Sequence, residues 1–538
     1  MSAAIHADLD SLDHAALKVL AVELQSALAA QEAELTSLET EFSELRQQLT
    51  EQSDELRSRS EQIEHLKRLV EKLRHKLFGR KSEKITAQLE QLELQLEELE
   101  TEQAAAEIVA DAVVQQAGPA SRPGRKPLPE HLPREVVTHE CHSNCCAECG
   151  GELRKFGEDV SEQIEYIPES FKVIRHVRPK FTCSNCDRIA MAPLPGRAIE
   201  RGLAGPAMLA HVLVSKFCDH LPLYRQSEIY ARQGVDLGRS TLANWVGACA
   251  ELLTPLLDAL GRHVFSGTKL HADDTPIPVL EPGRGKTRTG RLWTYVRDDR
   301  PCGDTTPPAV WFTYSEDRKG EHPRTHLKNF KGALQADAYA GFNHLYGDGI
   351  YEAACWAHAR RNLHDIHVLH ASPTTTEALN RIGAFYAIEE DIRGKPVEVR
   401  REVRQSLAKP LLDDFRQWME NTLRQLSPKS QTAGAIRYAL TRYVDDGRLE
   451  IDNNTAERAL RAVALGRKNY LFAGSDAGGE RAAAMYSLIG SAKLNGFDPE
   501  RYLRTVLARI NDHPINRINE LLPWVLSNEL DGTAHRAA

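Results

Sequence analysis

From Leu24 to Leu77 apolar residues return every seven positions. Leu28, Leu35, Phe42, Leu49, Leu56, Ile63, Val70 and Leu77 fill one heptad position, and Leu24, Leu38, Leu45, Leu66 and Leu73 fill most of its partner. Such a repeat predicts a coiled coil, and Gln31, Gln52 and Arg59 on the seam would fix register and oligomer state at some cost in stability. A long single helix packed on its own domain is the alternative. After LFGRKSEK, Ile85, Leu89, Leu92, Leu96 and Leu99 keep helical spacing, either folding back or continuing the seam. Residues 1–116 are therefore expected to be an α-helical coiled-coil oligomerisation region, pairing protomers into a homo-oligomer.

The pattern then changes. AGPASRPGRKPLPEHLPRE, within an expected linker over 117–139, is rich in proline and basic residues and reads as extended chain. Arg122, Arg125 and Lys126 on such a backbone suit a DNA minor groove, or a plain solvated linker. EQIEYIPESFKVIRHVRPKFTC alternates as β-strands do. Residues 197–262 read as helices, one running through Ile229 and Tyr230 to a break at Gly234 and another starting near Ser240. That is a helix-turn-helix layout, offering Arg239, Ser240, Thr241 and Asn244 to a major groove; two helices of a bundle give the same pattern. From about residue 266 short β-rich runs follow.

Length, charge and cysteines sharpen this outline. A chain of 538 residues is long enough for three or four domains. The net charge of −8 argues against nucleic acid only until it is divided: residues 1–116 hold 12 Lys+Arg against 24 Asp+Glu, and the remainder is slightly basic. The first residues have neither a basic flank nor an apolar stretch, and no apolar run approaches a membrane span, so a cytoplasmic protein with no membrane partner is expected. Four of the ten cysteines lie between Cys141 and Cys149 and two more pair at Cys183 and Cys186. Cys146-x-x-Cys149 and Cys183-x-x-Cys186 predict a small zinc ribbon over 140–196, with a structural Zn²⁺ replacing a core too small to hold itself together. Four thiolates leave no open metal position, so no catalysis is expected there.

The candidate chemistry is acidic. KLHADDTPIPVL puts Asp273 and Asp274 into an apolar run, where a carboxylate is costly without compensation. Pro276 and Pro278 mark an edge or ending strand. Asp337 follows another apolar run in ALQADAYAGF, and Glu457 lies far downstream in the helical DNNTAERALRAVALGRKN. Three convergent carboxylates repel one another; two Mg²⁺ ions (or Mn²⁺) remove that difficulty and activate phosphodiester chemistry. Each also has a structural reading: the aspartates as turn caps, Glu457 within a capping box or paired with Arg461.

Taken together, LFGRKSEK, GRKPLPEHLPRE, the paired CxxC knuckles, HLPLYRQSEIYARQGVDLGRSTLANWVG, HADDTPI, QADAYAGFN, CWAHARRN and DNNTAERALRAVALGRKNYLFAGSDAGGERAA resemble the transposases of the insertion sequence sixty-six family over nearly the whole chain. The resemblance implies a multidomain protein with an α/β ribonuclease H-like DDE catalytic domain (263–500), interrupted by a helical insertion near 370–448, and a helical tail at 501–538. It makes Asp273, Asp337 and Glu457 the Mg²⁺-binding catalytic triad. Where the family usually has D-E-T-P, this chain has Asp273-Asp274-Thr275-Pro276; neighbouring strand residues face opposite ways, so Asp274 is expected toward solvent or behind the ligands. Cys355 and His358 have ligand-like spacing but make only two ligands, and read as lining or packing residues. Arg360, Arg361, Arg467 and Lys468 either hold phosphates or form a solvated basic face. The implied activity is Mg²⁺-dependent cleavage at the element's terminal inverted repeats and joining to target DNA, in the cytoplasm at the nucleoid, with accessory proteins of the same element as possible partners. A repressor or scaffold with an inert nuclease-like domain, and a purely hydrolytic nuclease, are the alternatives.

Overall fold

The computed structural model describes Ser60, 62–70, Leu96, Glu100, Thr101 and residues 128–527, less 141–144, 147, 168–169, 194, 201, 282–285, 338, 348, 426–442 and 470–472. Within residues 1–69, the described part is helical. Most of the heptad seam, together with Arg122, Arg125 and Lys126, lies outside the described residues.

The remainder begins with a small sheet. Strand β1 (Arg134–Thr138) runs parallel to β3 (Ser170–Cys183), which pairs antiparallel with β2 (Leu153–Ile167) and with the short β4 (Ile189–Met191). The end of the expected linker is thus a strand, because Val136 and its neighbours find a free edge on β3. At its turn end the β2–β3 hairpin is apolar: Ile164, Phe171 and Val173 are buried in the main core. There Glu165 accepts the backbone N–H of Met208 at 2.7 Å, a carboxylate set against a helix N-terminus, where the unpaired amides favour it. Gly205 makes room for it, since a Cβ there would lie 2.4 Å from Glu165 Oε2. The 15-residue β2 extends about 50 Å at strand rise, so the cysteine end stands well away from that root.

Four helices follow, α1 (Pro206–Phe217), α2 (Leu223–Arg232), α3 (Arg239–Leu252) and α4 (Thr254–Phe265). Gly234, at φ +78°, takes the left-handed turn that separates α2 from α3. The five-stranded sheet comprises β5 (Lys269–Glu281), β6 (Lys286–Arg297), β7 (Ala309–Ser315), β8 (Gly332–Ala336) and β9 (Ile350–Ala354), in the order β7-β6-β5-β8-β9. The first three are antiparallel neighbours, while β8 runs parallel to both β5 and β9. A short helix, α5 (Glu321–His326), lies between β7 and β8.

After β9 come α6 (Trp356–Leu369), α7 (Pro373–Ile392), α8 (Val397–Val403) and α9 (Lys409–Gln425), with their own core around Trp356, Ile382, Phe385 and Phe415. Then α10 (Asn454–Asn469), α11 (Asp476–Leu494) and α12 (Pro499–Leu507) return to the sheet. Edge strand β7 is covered by α11, whose Ser487 and Ser491 hydroxyls accept the N–H groups of Phe312 and Val310 at 2.7 and 3.1 Å. The sequence reading separated 197–262, 263–500 and 501–538, yet Leu209, Leu242, Trp293, Leu488, Leu503 and Leu521 belong to one core. The expected tail is part of that core, because Tyr502, Leu503, Val506 and Leu507 form an apolar helix face.

The inserted helices grip the chain that returns to α10. Arg404 is buried and places two nitrogens on Glu389 at 2.7 and 2.6 Å, and donates to the Asp446 and Leu449 carbonyls. Arg400, also buried, reaches Glu450 at 2.9 Å. Removing one partner of such a pair strands a buried charge. Arg404→Ala should therefore destabilise the insertion by about 3–5 kcal/mol, seen as a lowered denaturation midpoint; an unchanged midpoint would contradict this network.

Candidate active site

Strands β5 and β8 pair only over Lys269↔Ala333, Leu270↔Leu334 and His271↔Gln335. Continuing that register by two residues sets Asp273 against Asp337, just where the strands part. Beyond His271, β5 keeps β6 as its ladder partner, and Pro276 and Pro278 are tolerated along the side that β8 has left. Farther on, Ala473 takes up that side through bonds to Pro278 and Leu280. Asp337 sits at the end of a parallel strand, a usual place for α/β sites.

Glu457 arrives on the first turns of α10. Asp452 accepts the N–H and the side-chain amide of Asn454, so the expected capping role falls to another carboxylate. Glu457 instead faces α6, with Arg361 Nη2 at 3.3 Å and His358 Nε2 at 3.8 Å. The α10 entry is pinned by Asn453, which is fully buried. Its amide donates to the Ala272 carbonyl at 2.8 Å, its Oδ1 meets His271 Nδ1 at 3.0 Å, and its backbone N–H points to Cys355 Sγ at 3.1 Å. Burial pushes His271 down to about 3, so the ring is neutral and its Nδ1–H donates to Asn453. Gln335 adds a second clamp, donating to the Glu450 carbonyl at 2.8 Å and accepting its N–H at 2.9 Å. Asn453 thus joins the residue before Asp273, the start of α6 and the start of α10.

Electrostatically the carboxylates form one group. Burial, and then the charges of Asp337, Asp274 and Glu457, push Asp273 up to about 7, against a lowering contribution from the Asp274 N–H. Burial also raises Asp337, with Arg318 acting in the opposite direction. One oxygen from each of Asp273, Asp337 and Glu457 does not fall within 4.8 Å of both others, so the three do not make a single tight cage.

Of the two places expected for Asp274, toward solvent or behind the ligands, it takes the second. Its side chain is fully buried and accepts Arg291 Nη1 at 2.9 Å and Arg318 Nε and Nη2 at 3.0 and 2.7 Å. Arg318 also lies 3.7 Å from Asp337 and 4.0 Å above the Tyr339 ring, while the Tyr339 hydroxyl donates to the Arg318 carbonyl. Gly341 permits this fold-back, since a Cβ would sit 2.1 Å from the ring. Arg291, Arg318, Asn453, His271 and Gln335 were not singled out from sequence. Only HADD and DNN carried a hint, a histidine and an asparagine beside acidic residues; Arg318 stands in the ordinary polar run SEDRKG.

The other expected residues are placed as follows. Arg360 is exposed on α6, Arg467 donates to the Pro276 carbonyl at 2.8 Å, and Lys468 lies on α10. Ser240 and Thr241 are partly exposed at the start of α3. Arg239 pairs with Glu100 at 3.5 Å, and the Asn244 amide, turned to satisfy its surroundings, donates to the Ser240 and Glu100 carbonyls at 3.2 Å. Part of the presumed recognition face therefore meets residues from the same chain.

The sulfurs of Cys146, Cys149, Cys183 and Cys186 cluster, with separations of 3.7, 3.3 and 3.4 Å for the 146–186, 149–183 and 149–186 pairs. A tetrahedral Zn²⁺ with bonds of about 2.3 Å has sulfurs roughly 3.7 Å apart, so the donor set fits the ion. The Cys149 N–H holds Cys146 below the ordinary thiol value and the Asn185 N–H does the same for Cys183, whereas Cys149 and Cys186, despite the Gly151 and Arg188 N–H groups, are raised by the neighbouring sulfurs, a crowding that a shared cation relieves.

A four-cysteine module, a mixed sheet and a cleft lined by carboxylates make this a multidomain protein, and the family match over its larger part is to a transposase domain of the DDE class. The chain belongs to the Transposase IS66 family, whose match covers residues 201–481. The zinc-finger binding domain of transposase IS66 matches 143–187, the IS66 C-terminal element 487–524, and the family described as Transposase C of IS166 homeodomain 65–137. Among relatives, the Sinorhizobium fredii (strain NBRC 101917 / NGR234) protein y4hP is 43% identical over 456 residues, covering 79% of this chain and 82% of that protein. Its y4qI is 39% identical over 75% of this chain and 78% of its own length. Both carry the description "Uncharacterized protein". No helix among the described residues is long and apolar enough to cross a membrane.

Two outcomes follow. Chelating zinc should unfold the cysteine end of the β2–β3 hairpin, and an amide spectrum unchanged there would reject the metal. Asp273 binds its proton more tightly folded than unfolded, where the value is about 3.9, so metal-free protein should lose stability as pH rises from about 4 to about 7. Below that window both states are protonated and the cost is absent. Asp273→Asn should then melt at least about 2 °C above the parent at pH 8 but not at pH 4; an equal difference at both values would contradict the assignment.

Proposed function

We propose that the chain is a DNA transposase in which Asp273, Asp337 and Glu457 hold two divalent ions. The observation that carries this reading is the parting of β5 and β8 beside two aspartates whose charges, with that of Glu457, act on one another. The charges that act most strongly on Asp273 are those of other carboxylates, and such an oxygen donor set suits hard divalent ions. Two bound Mg²⁺ or Mn²⁺ ions would activate the attacking water or 3′ hydroxyl and stabilise the leaving oxygen of an in-line displacement. The mixed sheet flanked by helices supports a ribonuclease H-like catalytic domain, with a helical insertion near 370–448.

The protein's own part is positioning. Asn453 fixes where Glu457 enters relative to Asp273, and Arg318, spanning Asp274 and Asp337, sets the second aspartate. Arg361 and the exposed Arg360 are suited to DNA phosphates beside the cleft. The zinc module on its long hairpin, the first turn of α3 and the basic segment with Arg122, Arg125 and Lys126 bind element ends in this reading. The heptad region pairs protomers, as holding two ends requires.

Glu457→Gln and Asp337→Asn should each retain binding to labelled element ends and lose Mg²⁺-dependent cleavage by on the order of 10²-fold or more. Cleavage at the parental rate in either variant would overturn the triad. Nicks without joined products would instead indicate a purely hydrolytic nuclease.

A further inference from the structure

Beside Glu457 lies a thiol that phosphodiester chemistry does not use. Cys355 is the residue before α6 and is 2% exposed; His358 follows on the first turn. Cys355, His358 and Glu457 each bring one ligand atom within 4.8 Å of the others. His358 Nε2 stands 3.8 Å from Glu457 Oε1. Both Glu457 Oε1 and His358 Nδ1 are buried without a hydrogen-bond partner. The sulfur receives the Asn453 N–H at 3.1 Å, as a thiolate ligand would.

We propose that Cys355, His358 and Glu457 form a second binding site for a cation of the zinc class, separate from the four-cysteine module and sharing Glu457 with the acidic cleft. The ligand chemistry selects the ion. Mg²⁺ and Mn²⁺ favour oxygen donors, whereas thiolate with imidazole and one carboxylate suits Zn²⁺. Bonds of about 2.0–2.3 Å around a tetrahedral ion put donors roughly 3.3–3.6 Å apart, so the His358–Glu457 gap has to close by only a few tenths of an ångström. A bound cation gives Oε1 its partner. A simple imidazolium–carboxylate pair would also give Oε1 a partner, but it leaves out the buried Cys355 sulfur, which lies within ligand distance of both groups. Three protein ligands leave the fourth position open to water.

The consequence is regulatory. If Glu457 serves the catalytic ions as proposed above, zinc on this site withdraws it and suppresses Mg²⁺-dependent cleavage. That consequence rests on the transposase reading; the site does not.

The test counts zinc per full-length chain by elemental analysis after equilibration with excess Zn²⁺ and gel filtration. The parent should hold two, and Cys355→Ser and His358→Asn one each. In cleavage assays, added zinc should inhibit the parent at least tenfold and each variant much less, relative to its own zinc-free rate. One zinc in the parent, or two in both variants, would overturn the site, as a plain ion pair predicts. A parent that binds two zinc ions but never cleaves DNA would refute the transposase reading while leaving the site standing.

Discussion

Gathering carboxylates in a buried cleft is the constraint on which the rest of this structure turns. Asp273, Asp337 and Glu457 come from a strand, a strand end and a helix, and burial with mutual repulsion raises Asp273 to about 7. Left to itself such a group would splay apart or stay protonated. Asn453 opposes this by bonding at once to Ala272, His271 and Cys355. Each bond is ordinary, but together they fix α10 against β5 and α6 in one register.

The insertion belongs to the same solution. Placing residues 355–453 between β9 and α10 would ordinarily loosen the approach of Glu457. The pairs of Arg400 and Arg404 with Glu389 and Glu450, and the Gln335 clamp on Glu450, return the chain along a defined path. Charge buried in pairs adds little stability over an apolar core, yet it penalises any shifted return that would leave one member alone. Precision at the cleft is thereby gained from residues far from it.

What the sequence made legible was local. The cysteine knuckles announce themselves by spacing, the α2–α3 turn by Gly234, and the strand-ending aspartates by apolar runs that stop at them. What it hid depends on long-range partners. For Asp274 the choice between solvent and a place behind the ligands stayed open because Arg291 and Arg318 come from β6 and from the loop after β7. For Glu457 local spacing alone left a capping role open beside the triad that the resemblance implied, because Arg361 and His358 lie on a helix nearly a hundred residues earlier. The three segments expected over 197–538 share one core in part, since strand and helix faces carry no mark of which neighbour they will bury against. The assignment of Asp273 over Asp274 came from resemblance to the family, and strand parity alone said only that the two differ.

The central claim, that distant acidic side chains meet around divalent ions, is tested most directly by counting bound Mn²⁺ by electron paramagnetic resonance in protein carrying one zinc ion per chain, on the four-cysteine module. Two ions per chain in the parent, with fewer in each of three variants that neutralise positions 273, 337 and 457 one at a time, is the predicted result. Undiminished Mn²⁺ binding in all three would contradict it.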